Sequence, residues 1–200
     1  MLNKLSLNVR KTNYILFTSN RQKIDTGNLV IQIDDIIIEN VEKTKFLGVI
    51  INSKLNWNYH IQTISNKISK NVGIIFRTRN NLNCNTLMLY HSMIQPYLDY
   101  CNIVWAVGGL YLELLFKMQI QAIRAITFAK WNAHSDSIFE QLKILKLKQI
   151  NIFQTCSFDY KSLHNLLPSQ FRNFFTINNE IHHYNTRSAC KIHQFNIVLM

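Results

Sequence analysis

The hydrophobic period of this chain changes once, near Asn56, and that change constrains the fold more than any other feature. Before it come short β-branched runs: YILFT at 14–18, LVIQI at 29–33, IIIEN at 36–40 and KFLGVII at 45–51. Such runs favour strands, because branched side chains pack well on a pleated surface. After it, Ile61, Ile64, Ile68, Val72 and Ile75 recur at steps of three and four. That spacing lays one apolar stripe along a long helix, which then needs a partner to cover it.

Further helices fit Asn85–Gln95, which Pro96 stops, then roughly 110–129, Ser135–Leu142 and Leu147–Leu166. The stretch PYLDYCNIVWAV, ended by Gly108 and Gly109, reads as buried helix or irregular structure, with Met93, Tyr97, Tyr100 and Trp105 as packing residues. The expected class is α+β. A small antiparallel sheet at the N-terminus (1–55) precedes a mostly α-helical bundle (56–130) and a helical extension with an irregular tail (131–200). With 48% hydrophobic residues, 16% charged, 5 Gly and 2 Pro, the chain suits regular elements around a real core rather than disorder.

Within LVIQIDDIII, Asp34 and Asp35 sit side by side between two strand-like runs. Adjacent carboxylates can serve metal-dependent phosphoryl chemistry, but short polar side chains between β-branched runs also make a two-residue turn. The turn is the expectation, since no third acid occupies a suitable neighbouring strand.

Charge carries the main functional signal. The net charge is +11, and no acidic residue lies between Glu42 and Asp99. An even scatter of the chain's 11 acids would place roughly three there. The same interval holds Lys43, Lys45, Lys54, Lys67, Lys70, Arg77 and Arg79. On the helical wheel, Lys67, Lys70 and Arg77 oppose the isoleucine stripe. A cationic face without carboxylate partners attracts polyanions, nucleic acid above all; a merely solvated face is the alternative. Arg124 either meets phosphate or lies along the surface.

Other site chemistry is sparse. His182, His183, Cys190 and His193 crowd one segment, but their spacing matches no paired zinc-ligand clusters, so they read as loop residues and no metal site is expected. His91, Asp99 and Cys101 are too loosely spaced for a nucleophilic triad. The cysteines at 84, 101, 156 and 190 fit neither a disulfide framework nor a metal knuckle, which suggests reduced thiols. The polar start and the shortness of IVWAVGGLYLELLF argue against a signal peptide or a membrane span. An intracellular protein, cytoplasmic or nuclear, is expected.

The blocks NKLSLNVRKTNYILF, KFLGVIINSKLNWNYHI, ISKNVGIIFRTRN, LYHSMIQPYLDYCNIVWA and YNTRSA, in that order, resemble the reverse transcriptase of jockey-like non-LTR retrotransposons, the LINE-type mobile elements of animals. The resemblance runs from about Asn3 to Ala189. It implies that LSLNVRKT is the end of the palm, with Lys11 near the triphosphate of the incoming nucleotide. KFLGV then resembles the primer grip, and the helices after it the thumb that tracks the template–primer. Nucleic-acid contacts are implied for Lys43, Lys45, Phe46, Gly48, Lys54, Trp57, Lys67, Lys70, Arg77 and Arg79. Phe46 and Trp57 either stack on the nucleic acid or fill the sheet–helix junction.

In that family the catalytic aspartates come from an aromatic-X-Asp-Asp turn and an earlier strand, both upstream of the LSLNVRKT-like block. Gln32 and Ile33, neither of them aromatic, precede Asp34 here. The resemblance therefore implies a C-terminal fragment without fingers, most of the palm or catalytic carboxylates. It is expected to be inactive alone and to hold no cofactor, although an intact parent would use Mg2+. The implied partners are RNA, DNA or their hybrid and the missing part of the polymerase. A non-functional remnant of a decayed element and a co-opted basic module that binds proteins are the rival readings.

Overall fold

A computed structural model describes residues 7–18, 29–81, 86–106, 110–171 and 181. The α+β class holds, with short strand pairs first and helices after them. Among the described residues the strands form three separate two-stranded ladders rather than one sheet. β1 (Asn13–Tyr14) runs parallel to β4 (Glu39–Asn40), β2 (Gln32–Ile33) pairs antiparallel with β3 (Ile36–Ile37), and β5 (Lys43–Phe46) pairs antiparallel with β6 (Val49–Asn52). Of YILFT, only Tyr14 lies in a ladder.

Asp34 and Asp35 form the two-residue turn between β2 and β3, at φ +49° and +61°. Two consecutive left-handed residues match the twist of the strands they join, and aspartate tolerates that conformation. KFLGVII, one strand by its β-branched pattern, is a hairpin, the shape that the resemblance to a primer grip implies. Leu47 and Gly48 turn it at φ +45° and +88°. Leucine pays roughly 1–2 kcal/mol in that region, whereas glycine is at ease there.

α1 (Asn58–Thr78) buries Ile61, Ile64, Ile68, Val72 and Ile75, the stripe read from the sequence. Its main partner is α5 (Leu110–Thr127). Along the chain, α2 (Thr86–Met93), α3 (Gln95–Asp99) and α4 (Asn102–Trp105) come between the two. Pro96 does not end the helical region, because it sits in the first turn of α3, where no N–H is needed. Cys101 adopts φ +51° and redirects the chain into α4. α6 (Ser135–Leu142) packs on α5, and α7 (Leu147–Leu163) packs against α3, α4 and α5.

One buried cluster runs from Ile61 to Ile150, with Tyr90, Ile94, Leu98, Trp105, Leu115 and Ile123 withdrawn from solvent. Gln119 is fully buried inside it. Its Nε2 donates to the Tyr90 hydroxyl at 2.8 Å and to the Leu145 carbonyl at 2.9 Å, and its Oε1 accepts from the Leu147 N–H at 2.9 Å. This amide ties α5 to α2 and to the α6–α7 connection. Burial pushes the Tyr90 phenol up to about 12, so the ring stays neutral.

The strand pairs are much less covered. Between Leu29 and Ile51 only Ile38 and Val49 are buried apolar residues, while Leu29, Val30, Ile31, Ile36, Ile37, Phe46 and Leu47 are exposed. Among the described residues, no helix is long and apolar enough to cross a membrane.

Candidate functional site

The site is built on β5–β6 and α1, and buried polar groups hold the two together. Asn52, at the end of β6, accepts the Asn56 N–H at 2.9 Å through Oδ1 and donates through Nδ2 to Asn56 Oδ1 at 3.0 Å. This Asn–Asn clasp shapes the turn into α1. His60, in the first turn of the helix, is buried and accepts the Ile50 N–H on Nδ1 at 3.3 Å. Its ring meets Trp105 edge-on at 5.8 Å. Burial, then the charge of Lys67, lowers the His60 pKa, which favours the neutral ring that this hydrogen bond requires.

Tyr100 pins the far end of the hairpin. Its hydroxyl donates to the Leu47 carbonyl at 2.5 Å. A Cβ on Gly48 would stand 3.4 Å from the Tyr100 ring. The close approach that glycine permits here is thus made by the chain's own tyrosine, and Phe46 beside it is 60% exposed. Trp57 is half-buried and packs against the helical core at the sheet–helix junction.

On this frame Lys43, Lys45, Lys54, Lys67, Lys70 and Arg77 are all exposed. Lys43 and Lys45 alternate along β5 to one side of the hairpin. Lys43 Nζ lies 4.1 Å from the centre of the Tyr59 ring, and Lys67 Nζ 5.4 Å from that of Tyr97. These rings steady the ammonium groups without neutralising them. Arg77 Nε donates to the Gly73 carbonyl at 3.2 Å and stays on the outer face. Among the described residues, none of these cations forms an ion pair with a carboxylate; Lys146 and Asp136, elsewhere, do so at 2.9 Å.

Arg79 departs from the group. It is half-buried, with its guanidinium 4.8 Å from the ring centres of both Phe76 and Phe128 and its Nη1 donating to the Ala125 carbonyl at 3.3 Å. Arg124 donates from Nη2 to the Ala133 carbonyl at 2.7 Å. The two line an open cleft of about 420 Å³ together with Phe76, Gln121, Phe128 and Trp131. Sequence pattern does not join these residues, which come from segments far apart in the chain; the only local signal is the aromatic residue beside each arginine-bearing stretch.

Lys11 is exposed at the end of a single 3-10 turn, Val9–Lys11. Asp34 and Asp35 are exposed at their turn, and among the described residues no three His, Cys, Asp or Glu side chains gather as a metal cage. His182, His183, Cys190, His193 and Cys84 lie outside the described residues, as does YNTRSA. Cys101 and Cys156 are free thiols. Burial raises the Asp99 pKa, against a hydrogen bond from Gln95 and the nearby His91.

A cationic surface on a strand hairpin and the helix after it, within an α+β chain, is the architecture to compare. Over 145 residues, 70% of this chain, it is 21% identical to a probable RNA-directed DNA polymerase from transposon X-element of Drosophila melanogaster. The match covers 16% of that protein, so the chain corresponds to a small part of it. This weak similarity supports a reverse transcriptase-like relationship. No family model and no solved structure matches the chain.

Proposed function

We propose that this chain is a piece of a non-LTR retrotransposon reverse transcriptase of the jockey-like, LINE type, and that it binds template–primer through β5–β6 and α1. In this reading β5–β6 is the primer grip, at the end of a palm-derived region spanning 1–55. The helices of 56–130 are the thumb, and 131–200 extends it. The observation that carries the reading is the exposed, acid-free set Lys43, Lys45, Lys54, Lys67, Lys70 and Arg77 on two elements locked together by Asn52 and His60. Fixed cations facing solvent suit a phosphate backbone, which offers charge at regular intervals and no sequence information.

Phe46, exposed at the hairpin, would meet a sugar or base; Gly48 and Trp57 shape the hairpin and its junction. The uncovered apolar residues of the strand pairs support a second partner, the remaining palm and fingers of a polymerase. The same exposed surface also favours the rival reading of a decayed remnant, which would lack a cooperative folding transition. Catalysis and a Mg2+ requirement belong to the parent enzyme, because the carboxylates implied for them are upstream in the family.

Binding of a labelled RNA–DNA hybrid across a salt series tests the proposal. With four or more phosphates engaged, log K falls against log salt with a slope of about −3 to −5. A slope shallower than about −1 overturns backbone binding by this face.

A further inference from the structure

Away from the lysine face, three aromatic side chains stand partly or largely in water around two arginines. Trp131 is 85% exposed, Phe128 54% and Phe76 44%, and all three line the cleft at the C-terminal ends of α1 and α5. Isolated exposed rings need no explanation, but three converging on one cleft make a candidate binding surface. The cleft, about 420 Å³, is of the size that takes a small planar group.

Its charge is specific. Arg79 and Arg124 are each held by one hydrogen bond to a main-chain carbonyl, and Arg79 is also clamped between Phe76 and Phe128. Both Nε atoms are buried without a hydrogen-bond partner among the described residues. Among the described residues no carboxylate lines the cleft, and Gln121 adds an amide able both to donate and to accept. Two half-buried guanidinium groups on the cleft wall, beside rings with exposed surface, complement a ligand that joins a π-face to an anion.

We propose that this cleft is a stacking subsite for one unpaired nucleotide of a single-stranded nucleic acid, with Trp131 and Phe128 against the base and Arg79 and Arg124 toward its phosphate. The inference rests on the nucleic-acid reading above and adds to it a preference for unpaired strand. Bases inside a duplex have no free face to offer, whereas a single strand or an overhanging end does. Gln121 sits where it can reach a base edge, which gives room for a mild base preference.

Adenosine 5′-monophosphate, adenosine and inorganic phosphate, titrated separately into the full chain while tryptophan emission is followed, test the subsite. The expected result is quenching by the nucleotide, weaker binding of adenosine and of phosphate, and a loss of nucleotide affinity of about tenfold or more in Trp131→Ala. Trp131→Phe should keep most of the affinity, measured by calorimetry, because a ring remains. Unchanged affinity in Trp131→Ala, or adenosine binding as well as its monophosphate, overturns the subsite. A steep salt dependence for the hybrid with no nucleotide binding overturns the subsite alone. Nucleotide binding through Trp131 with a flat hybrid salt response overturns the backbone reading alone.

Discussion

Replacing Gln119 with leucine lowers the unfolding free energy of the chain by about 3 kcal/mol, the largest loss expected from any single polar side chain here. The Tyr90 hydroxyl, the Leu145 carbonyl and the Leu147 N–H all lose their partner at once. Each buried group left without a hydrogen bond costs about 1–3 kcal/mol, and the Leu147 N–H, at the head of α7, is among those that no carbonyl of its own helix accepts. Leucine is close to glutamine in volume, so cavity formation adds little. Thermal denaturation reads the effect as a fall in Tm of about 6–12 °C for a chain of this length. A change under about 1 kcal/mol would mean that these three groups reach water or one another.

Neutralising Lys67, Lys70 and Arg77 together to alanine weakens binding of an RNA–DNA hybrid by about two to three orders of magnitude near 0.1 M salt. Every cation withdrawn from a phosphate takes about 0.9 from the slope of log K against log salt, so the slope becomes shallower by roughly three units. Folding should survive. All three side chains are exposed and unpaired with any described carboxylate. The variant gives up only the placement of Lys67 over the Tyr97 ring and the Arg77 hydrogen bond to Gly73, which is a small matter at such a surface. An unchanged slope in the triple variant would place any nucleic-acid binding on another face.

Much of this was legible because the signals were local. The isoleucine stripe of α1 and the span Ser135–Leu142 of α6 follow from residues within a few turns of one another. Asp34–Asp35 read as a turn because both flanks were β-branched and both turn residues short and polar. Leu47–Gly48 carried a similar signal, but the leucine masked it, since a bulky residue at positive φ is uncommon. The parallel pairing of β1 with β4 left no local trace, because its partners are 26 residues apart in Asn13↔Glu39. α2 ends ahead of Pro96, as the pattern reads, and the same proline opens α3, where the first turn needs no N–H from it.

The candidate surface divides the same way. The helical wheel turned Lys67, Lys70 and Arg77 outward, and they are exposed along with Lys43, Lys45 and Lys54, whereas Arg79 of the same interval is half-buried. It lies just past the end of α1, on the side of the buried stripe, where Phe76 and Phe128 receive it. Gln119 looked like any polar residue in an amphipathic helix, and only the assembled bundle brings Tyr90, Leu145 and Leu147 to it. Tyr100 likewise had no visible tie to Leu47, 53 residues away.

Photo-cross-linking the full chain to an RNA–DNA hybrid, followed by sequencing of the attached peptides, tests the central claim most directly. Cross-links concentrated in residues 43–79, lost as salt rises, are the predicted result. Efficient cross-links that avoid β5, β6 and α1, or none at low salt, would contradict template–primer binding by this surface.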